Sequence, residues 1–322
     1  MAEVVKHEAQ DVDDQAKGLD GWEQAYEQIG CGRFRGSTWQ LLMHDGVLLR
    51  ETGNRQHRQR VVPPRDHLVL AVPMAVTEGS VFAGRPLGRE TLMLLDHRAE
   101  HDVVSAGEID IIGLSVDRAL LQTQLAPAKL EWLERKAAER HVELPPETAA
   151  AIRQMLLAVV RDADERLDDL AQPREERNLL ASTVTHAVVL AMSAERDGGA
   201  STLPRRADTR LKVVKRAVEF MRGHLDADIG VPEICAAAFA SRRTLQYCFE
   251  EFLHTTPQAY LRALRLNEAR RALKAAHQPP ITELASTLGF ASASHFTRHY
   301  KLMFDELPSE TLKLHCYGPT IA

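Results

Sequence analysis

Two stretches near the end of the chain carry side chains that can hydrogen-bond a patterned polar surface from a helix. Phe239-Ala-Ser-Arg-Arg-Thr-Leu-Gln-Tyr-Cys-Phe249 and Phe290-Ala-Ser-Ala-Ser-His-Phe-Thr-Arg-His-Tyr300 align at a shift of 51 residues. Each holds a serine, Ser241 or Ser292, of the type that accepts backbone N–H groups where a helix begins. Each then sets large apolar side chains four apart, Leu245 with Phe249 and Phe296 with Tyr300, so that one helix face is committed to a core. Left outward are Arg243, Gln246 and Tyr247 on the first helix, and Ala293, Ser294, Thr297 and Arg298 on the second. An arginine fork suits the O6/N7 edge of guanine and a glutamine amide the N6/N7 edge of adenine, each good pair worth roughly 1–3 kcal/mol of discrimination. Ser241, Arg242 and Ser292 sit nearer the helix starts and suit phosphate oxygens.

Such side chains read a groove only if a rigid frame aims them. Short helices expected over Pro232–Ala238 and Thr282–Leu288 precede the two stretches, so each reads as helix, tight turn and capped second helix. That is a helix-turn-helix, present twice. A helix expected over Pro257–Ala275 joins them, opened by Thr256 as cap and Pro257 in its first turn. Two units so joined could enter successive major-groove segments about 34 Å apart.

The residues from Ser241-Arg-Arg-Thr-Leu through Tyr260-Leu-Arg-Ala-Leu-Arg-Leu-Asn-Glu-Ala-Arg-Arg271, Ile281-Thr-Glu-Leu-Ala, Gly289-Phe290, His295-Phe-Thr-Arg298 and Pro308-Ser309 resemble the DNA-binding domain of AraC-type transcriptional regulators. The Ser-Arg-Arg-Thr-Leu-Gln-Tyr run, the Pro308-Ser-Glu-Thr-Leu312 end and the Tyr26…Gly36 stretch are similar to the regulators of ethanolamine utilisation. The chain departs from the family at position 239, Phe in place of the usual Gly, and at position 231, Val in place of a Ser or Thr cap. The resemblance puts the outward residues named above on the DNA face. It implies an operator in double-stranded DNA, RNA polymerase as partner if the protein is an activator, and an N-terminal domain that senses a small molecule and forms a homodimer.

Composition narrows the alternatives. Of 322 residues, 44% are hydrophobic and 26% charged, which suits a globular chain and excludes a disordered or collagenous one. No apolar run reaches the roughly 20 residues of a membrane span, and the start lacks a secretory apolar core, so a cytoplasmic location without membrane partners is expected. Cys31, Cys235, Cys248 and Cys316 lie far apart and read as reduced thiols. Residues 208–322 carry 15 Lys and Arg against 12 Asp and Glu, whereas the preceding residues are acidic. A mildly basic module on an acidic one suits a selective nucleic-acid binder.

The remaining texture predicts an α+β chain. Residues 1–20 read as a loose polar tail. Strands are expected at Thr38–Met43, Gly46–Glu51, His67–Pro73, Gly79–Ala83, Thr91–Leu95 and Glu108–Val116, forming an antiparallel sandwich or barrel. The period turns helical from about Pro127, with stripes at Ile152, Leu156, Val159 and Val160 and at Leu180, Val184, Ala187, Val188 and Ala191. The second stripe, on a helix expected over 174–196, reads as core packing or as a dimer seam. The predicted organisation is a sensing and dimerisation domain over 20–196 (β-rich 20–125, helical 127–196), a linker over 197–207, and a DNA-binding domain over 208–315.

Two other classes compete with the regulator reading. His97-x-x-Glu100-His101-Asp102 could hold a metal on a cupin-like barrel, making the chain a metal enzyme with a DNA-targeting domain. Its setting after a strand reads instead as a solvated turn. Cys31 has no His or acid nearby in sequence, and no Gly-x-Ser-x-Gly elbow occurs, so no catalytic residue, metal or cofactor is expected. A ligand-independent structural DNA binder is the third class. The ligand-contacting residues of a sensing domain are not assigned by the sequence.

Overall fold

The computed structural model describes residues 2–165, 173–194, 205–275 and 278–316. The protein is α+β and divides into two compact units: residues 1–26, 35–54 and 59–202 form the first, and residues 27–34, 55–58 and 203–322 the second. The stretch 197–204 of the expected linker lies outside the described residues. Among the described residues no helix is long and apolar enough to cross a membrane.

The first unit is built on two antiparallel sheets. The larger has the strand order β1 (Glu3–Ala9), β3 (Gly36–Met43), β4 (Gly46–Gly53), β11 (Ile109–Asp117), β6 (His67–Val76), β9 (Thr91–Asp96) and β12 (His141–Glu143). The smaller runs β2 (Glu23–Gln28), β5 (His57–Val62), β10 (His101–Ser105), β7 (Val81–Phe82) and β8 (Arg85–Pro86). The expected loose tail is therefore wrong: β1 pairs along its whole length with β3, and Asp11 caps a short helix α1 (Val12–Gln15). Strand β6 shows why its sequence is nearly all apolar. Leu68, Leu70 and Val72 point to a helical layer, while Val69 and Ala71 point to the core shared with Val61, Phe82 and Val103. A strand buried on both faces needs no polar alternation.

That helical layer is α2 (Arg118–Gln124), α3 (Pro127–Glu139), α4 (Pro146–Glu165) and α5 (Pro173–Ala194). Ile152 and Leu156 of α4 join Leu180, Val184, Ala187, Val188 and Ala191 of α5 in one core with Leu41, Leu48 and Leu114 of the sheet. The α5 stripe is thus filled by its own chain and is not left for a dimer seam. Of the histidine cluster, residues 97–100 form the expected turn with Glu100 exposed, but His101 does not belong to it. His101 is fully buried on β10, its Nε2 is 2.9 Å from the Asp96 N–H, and its ring stacks on Phe82. Burial pushes its pKa down to about 4, as for a neutral core histidine. No group of three or more His, Cys, Asp or Glu side chains is disposed to hold a metal among the described residues.

The second unit consists of α6 (Arg205–Arg222), α7 (Val231–Ala238), α8 (Arg242–Leu253), α9 (Pro257–Lys274), α10 (Ile281–Thr287), α11 (Ala293–Phe304) and α12 (Pro308–Cys316), together with residues 27–34 and 55–58. These two early segments are built in by hydrogen bonds. The Gln28 N–H donates to Asn267 Oδ1 (3.1 Å), and Asn267 Nδ2 donates back to the Gln28 carbonyl (2.8 Å). Gln28 Nε2 donates to the Met303 carbonyl, and Gln56 Nε2 to that of Leu253, each at 2.8 Å. Glu27 is buried between the Arg222 guanidinium and the Tyr260 hydroxyl, each donating at 2.6 Å. Desolvation opposes its charge, but the hydrogen bond from Arg222 and the charges of Arg222 and Arg58 outweigh it, and its pKa falls below the usual 4.5.

Glu27→Ala should therefore destabilise the second unit by about 3–5 kcal/mol, because it strands Arg222 without its counter-charge. Because the folded pKa lies below the unfolded one, Glu27's stabilisation is complete above about pH 4.5 and is lost as pH falls through the lowered value. Denaturant titrations of the parent and Glu27→Gln should show a gap at neutral pH that closes in acid. A gap independent of pH would contradict this assignment.

Candidate nucleic-acid interface

In the first helix-turn-helix, α7 opens at Gly230, whose N–H donates to the Glu233 carboxylate at 2.8 Å. The helix closes at Phe239, which adopts the left-handed conformation (φ 53°). The Ala240 N–H then returns to the Cys235 carbonyl at 3.0 Å, turning the chain sharply into α8. A bulky side chain in that conformation costs of order 1 kcal/mol or more. The Phe239 ring is 83% exposed, with the Arg216 guanidinium 5.5 Å from its centre. Ser241 Oγ accepts the Thr244 N–H at 3.1 Å and sets the first turn of α8. Leu245, Cys248, Phe249 and Phe252 of α8 are buried, which fixes its rotation.

The second helix-turn-helix repeats the construction with a glycine in the turn. Gly289 has φ +68°, and a Cβ there would lie 2.9 Å from the Arg265 guanidinium, which donates to the Leu225 and Ala227 carbonyls. Ser292 Oγ accepts the His295 N–H at 3.1 Å. Phe296, Tyr300, Met303 and Phe304 then bury one face of α11. Between the two helix pairs runs α9, capped by Thr256 and started by Pro257.

Ser241, Arg242, Arg243 and Tyr247 are exposed on α8 and its cap, and Ser292, Ser294 and Arg298 on α11 and its cap; Gln246, Ala293 and Thr297 are half-buried. Two of these side chains are already engaged. Gln246 Nε2 donates to Glu250 at 2.6 Å, and Arg210 covers the Tyr247 ring while pairing with Glu251. A cleft of about 210 Å³ that no sequence motif marks is lined by Gly230 and Ile234 of the first helix pair, Arg262 of α9, and Phe290 and His295 of the second. Beside it His295 and His299 stand one turn apart on α11, their Nε2 atoms 3.1 Å from each other. Desolvation, then the charges of Arg262, His295 and Arg298, lower the His299 pKa. Arg262 was visible in the Tyr260…Arg271 string, but its place beside α11 depends on the packing of α9.

Residues 234–314 match a family described as a helix-turn-helix domain. The chain is 35% identical over 101 residues to the XylDLEGF operon transcriptional activator of Pseudomonas putida, a match covering 31% of this chain and 32% of that protein. It is 32% identical over 116 residues to the HTH-type transcriptional regulator GbdR of Pseudomonas aeruginosa, covering 36% and 31%. The matches thus span about a third of the length of these relatives. A solved AraC-type regulator from Chromobacterium violaceum is 28% identical, covering 36% of this chain and 99% of that one, with a TM-score of 0.32. Residues 234–314 are thus a helix-turn-helix domain similar to those of transcriptional regulators.

The serine caps can be tested directly. Ser292→Ala removes the acceptor of the His295 N–H and should destabilise the protein by about 1 kcal/mol. Ser294→Ala, an exposed neighbour with no capping bond, should stay within about 0.5 kcal/mol of the parent. Denaturant unfolding of both variants checks the difference, and equal losses would remove the cap assignment.

Proposed function

We propose that this protein is a cytoplasmic, sequence-specific transcriptional regulator of the AraC type that responds to a small molecule. The observation that carries the reading is the duplicated serine-capped helix-turn-helix, in which each capped helix buries apolar residues four apart and turns arginine, serine and threonine outward. In this reading residues 208–315, with segments 27–34 and 55–58 built in, bind double-stranded DNA, and the larger part of 20–196 senses the effector. Arg243, Gln246 and Tyr247, with Ala293, Ser294, Thr297 and Arg298, meet base edges, while Ser241, Arg242 and Ser292 hold phosphates. Gln246 must exchange Glu250 for a base to do so. The protein is not an enzyme in this reading. Homodimerisation belongs to it through a surface other than the α5 stripe, and RNA polymerase is the further partner of an activator.

Arg298→Ala should cost about 1–3 kcal/mol at the preferred sequence and relax preference at one base position. Arg242→Ala should weaken preferred and random DNA alike and flatten the salt dependence, because a phosphate contact releases counterions without reading sequence. Binding curves on both DNAs at two salt concentrations separate the roles. Uniform loss in both variants would overturn the assignment of Arg298 to a base.

A further inference from the structure

The last four carbonyls of a helix have no partner within it, so the C-terminal ends of α8 and α11 need donors from elsewhere. For α11 two of them come from near the start of the chain. The Gly32 N–H donates to the Leu302 carbonyl at 3.1 Å, and Gln28 Nε2 to that of Met303 at 2.8 Å. For α8 the donor is Gln56 Nε2, 2.8 Å from the carbonyl of Leu253, the last residue of the helix. Segments 27–34 and 55–58 of the second unit thus grip the same end of both helices. The outward side chains at 243–247 and 293–298 lie in the opposite halves.

The two segments are also joined to each other and to α9. The Ile29 and Gly30 N–H groups both donate to the Gln56 carbonyl at 2.9 Å. Gly30 permits that approach, because a Cβ there would lie 2.9 Å from the Gln56 Cβ. Gln28 Nε2 also lies 2.8 Å from the Gly30 carbonyl and 2.7 Å from that of Gly32, so its two hydrogens tie this turn to α11. Asn267, buried in the middle of α9, has no spare group: its Oδ1 accepts the Gln28 N–H, and its Nδ2 serves the Gln28 and Ala263 carbonyls. A path of hydrogen bonds therefore runs from the end of α8 through Gln56, Gly30 and Gln28 to the end of α11, pinned on α9 by Asn267.

We propose that Gln28, Gly30 and Gln56 are positioning residues for DNA readout. They form a brace that sets the separation and relative angle of α8 and α11, and with it the spacing between the two base elements that the protein prefers. The brace acts through the helices it caps. Spacing is a sensitive measure of it, because each added base pair moves an element by about 3.4 Å along the duplex and turns it by roughly 35°. Two helices held rigidly cannot follow such a step, whereas helices released from the brace tilt to meet it. The inference deepens the DNA-reading part of the regulator reading and rests on it.

The test uses the full-length protein and the two-element duplex it selects from a random pool. Companion duplexes carry one base pair more or fewer between the elements, or a single element. The parent should bind its selected spacing about tenfold or more tightly than either neighbour, since only that spacing engages both helices at once. Gln56→Ala removes one half-buried side-chain bond, and Gly30→Ala wedges the segments apart. Each should lose about tenfold on the selected duplex and discriminate less than about threefold among spacings, with single-element binding unchanged. Gln56→Lys returns a donor to the end of α8 and should restore the parent's preference. Variants that keep the parent's spacing preference, or that weaken one-element and two-element duplexes by the same factor, overturn the brace and leave the regulator reading standing. A parent that selects no two-element duplex overturns both.

Discussion

A helix can read a groove only if its rotation about its own axis is fixed, and here apolar side chains one turn apart fix it. Leu245 with Phe249, and Phe296 with Tyr300, are each fully buried. Turning either helix by a single residue would expose two large apolar side chains, at about 1.5–3 kcal/mol each. The start of each helix is set separately, by Ser241 and Ser292 accepting the N–H three residues on. Axis, rotation and starting point together decide which side chains face outward, and everything functional in the second unit follows from that choice.

The first unit is organised by the opposite economy. Most of its two-sheet core is aliphatic and packed on both faces of β6, which makes a stable platform. Against that background Glu51, Gln15, Gln24, Tyr26 and Gln59 form a polar island with unmatched donors and acceptors. Stability alone would favour apolar replacements there, since half-satisfied polar networks are weaker than packed hydrocarbon.

The sequence was legible where a short-range rule decides the outcome. The strands β3, β4, β6, β9 and β11 are apolar enough to be found by composition, and the helical repeat with its caps is local by nature. Three of the strands that composition does not mark share a reason. Strands β1 (Glu-Val-Val-Lys-His-Glu-Ala), β2 (Glu-Gln-Ala-Tyr-Glu-Gln) and β5 (His-Arg-Gln-Arg-Val-Val) are rich in charged and polar side chains, and β1 and β2 lie at sheet edges. Their polar residues serve partners far along the chain, such as Glu27 with Arg222 or Gln28 with Asn267. No periodicity reports a partner some 200 residues away, and for the same reason residues 27–34 and 55–58 could not be assigned to the second unit. His101 was misread because a histidine beside Glu100 and Asp102 looks solvated, whereas strand pairing turns its ring inward onto Phe82. At the interface, exposure of the arginines and serines was legible, while the engagement of Gln246 by Glu250 depends on rotamers.

The central claim is that two helix-turn-helix units in one chain read one DNA duplex together. Selecting sequences bound by the full-length protein from a random duplex pool, then footprinting the winners, tests it most directly. The account predicts enriched sequences with two short conserved elements about one helical turn, roughly 10 base pairs, apart, and protection of two successive major grooves on one face. Enrichment of a single short element, or no enrichment above random duplex, would contradict it.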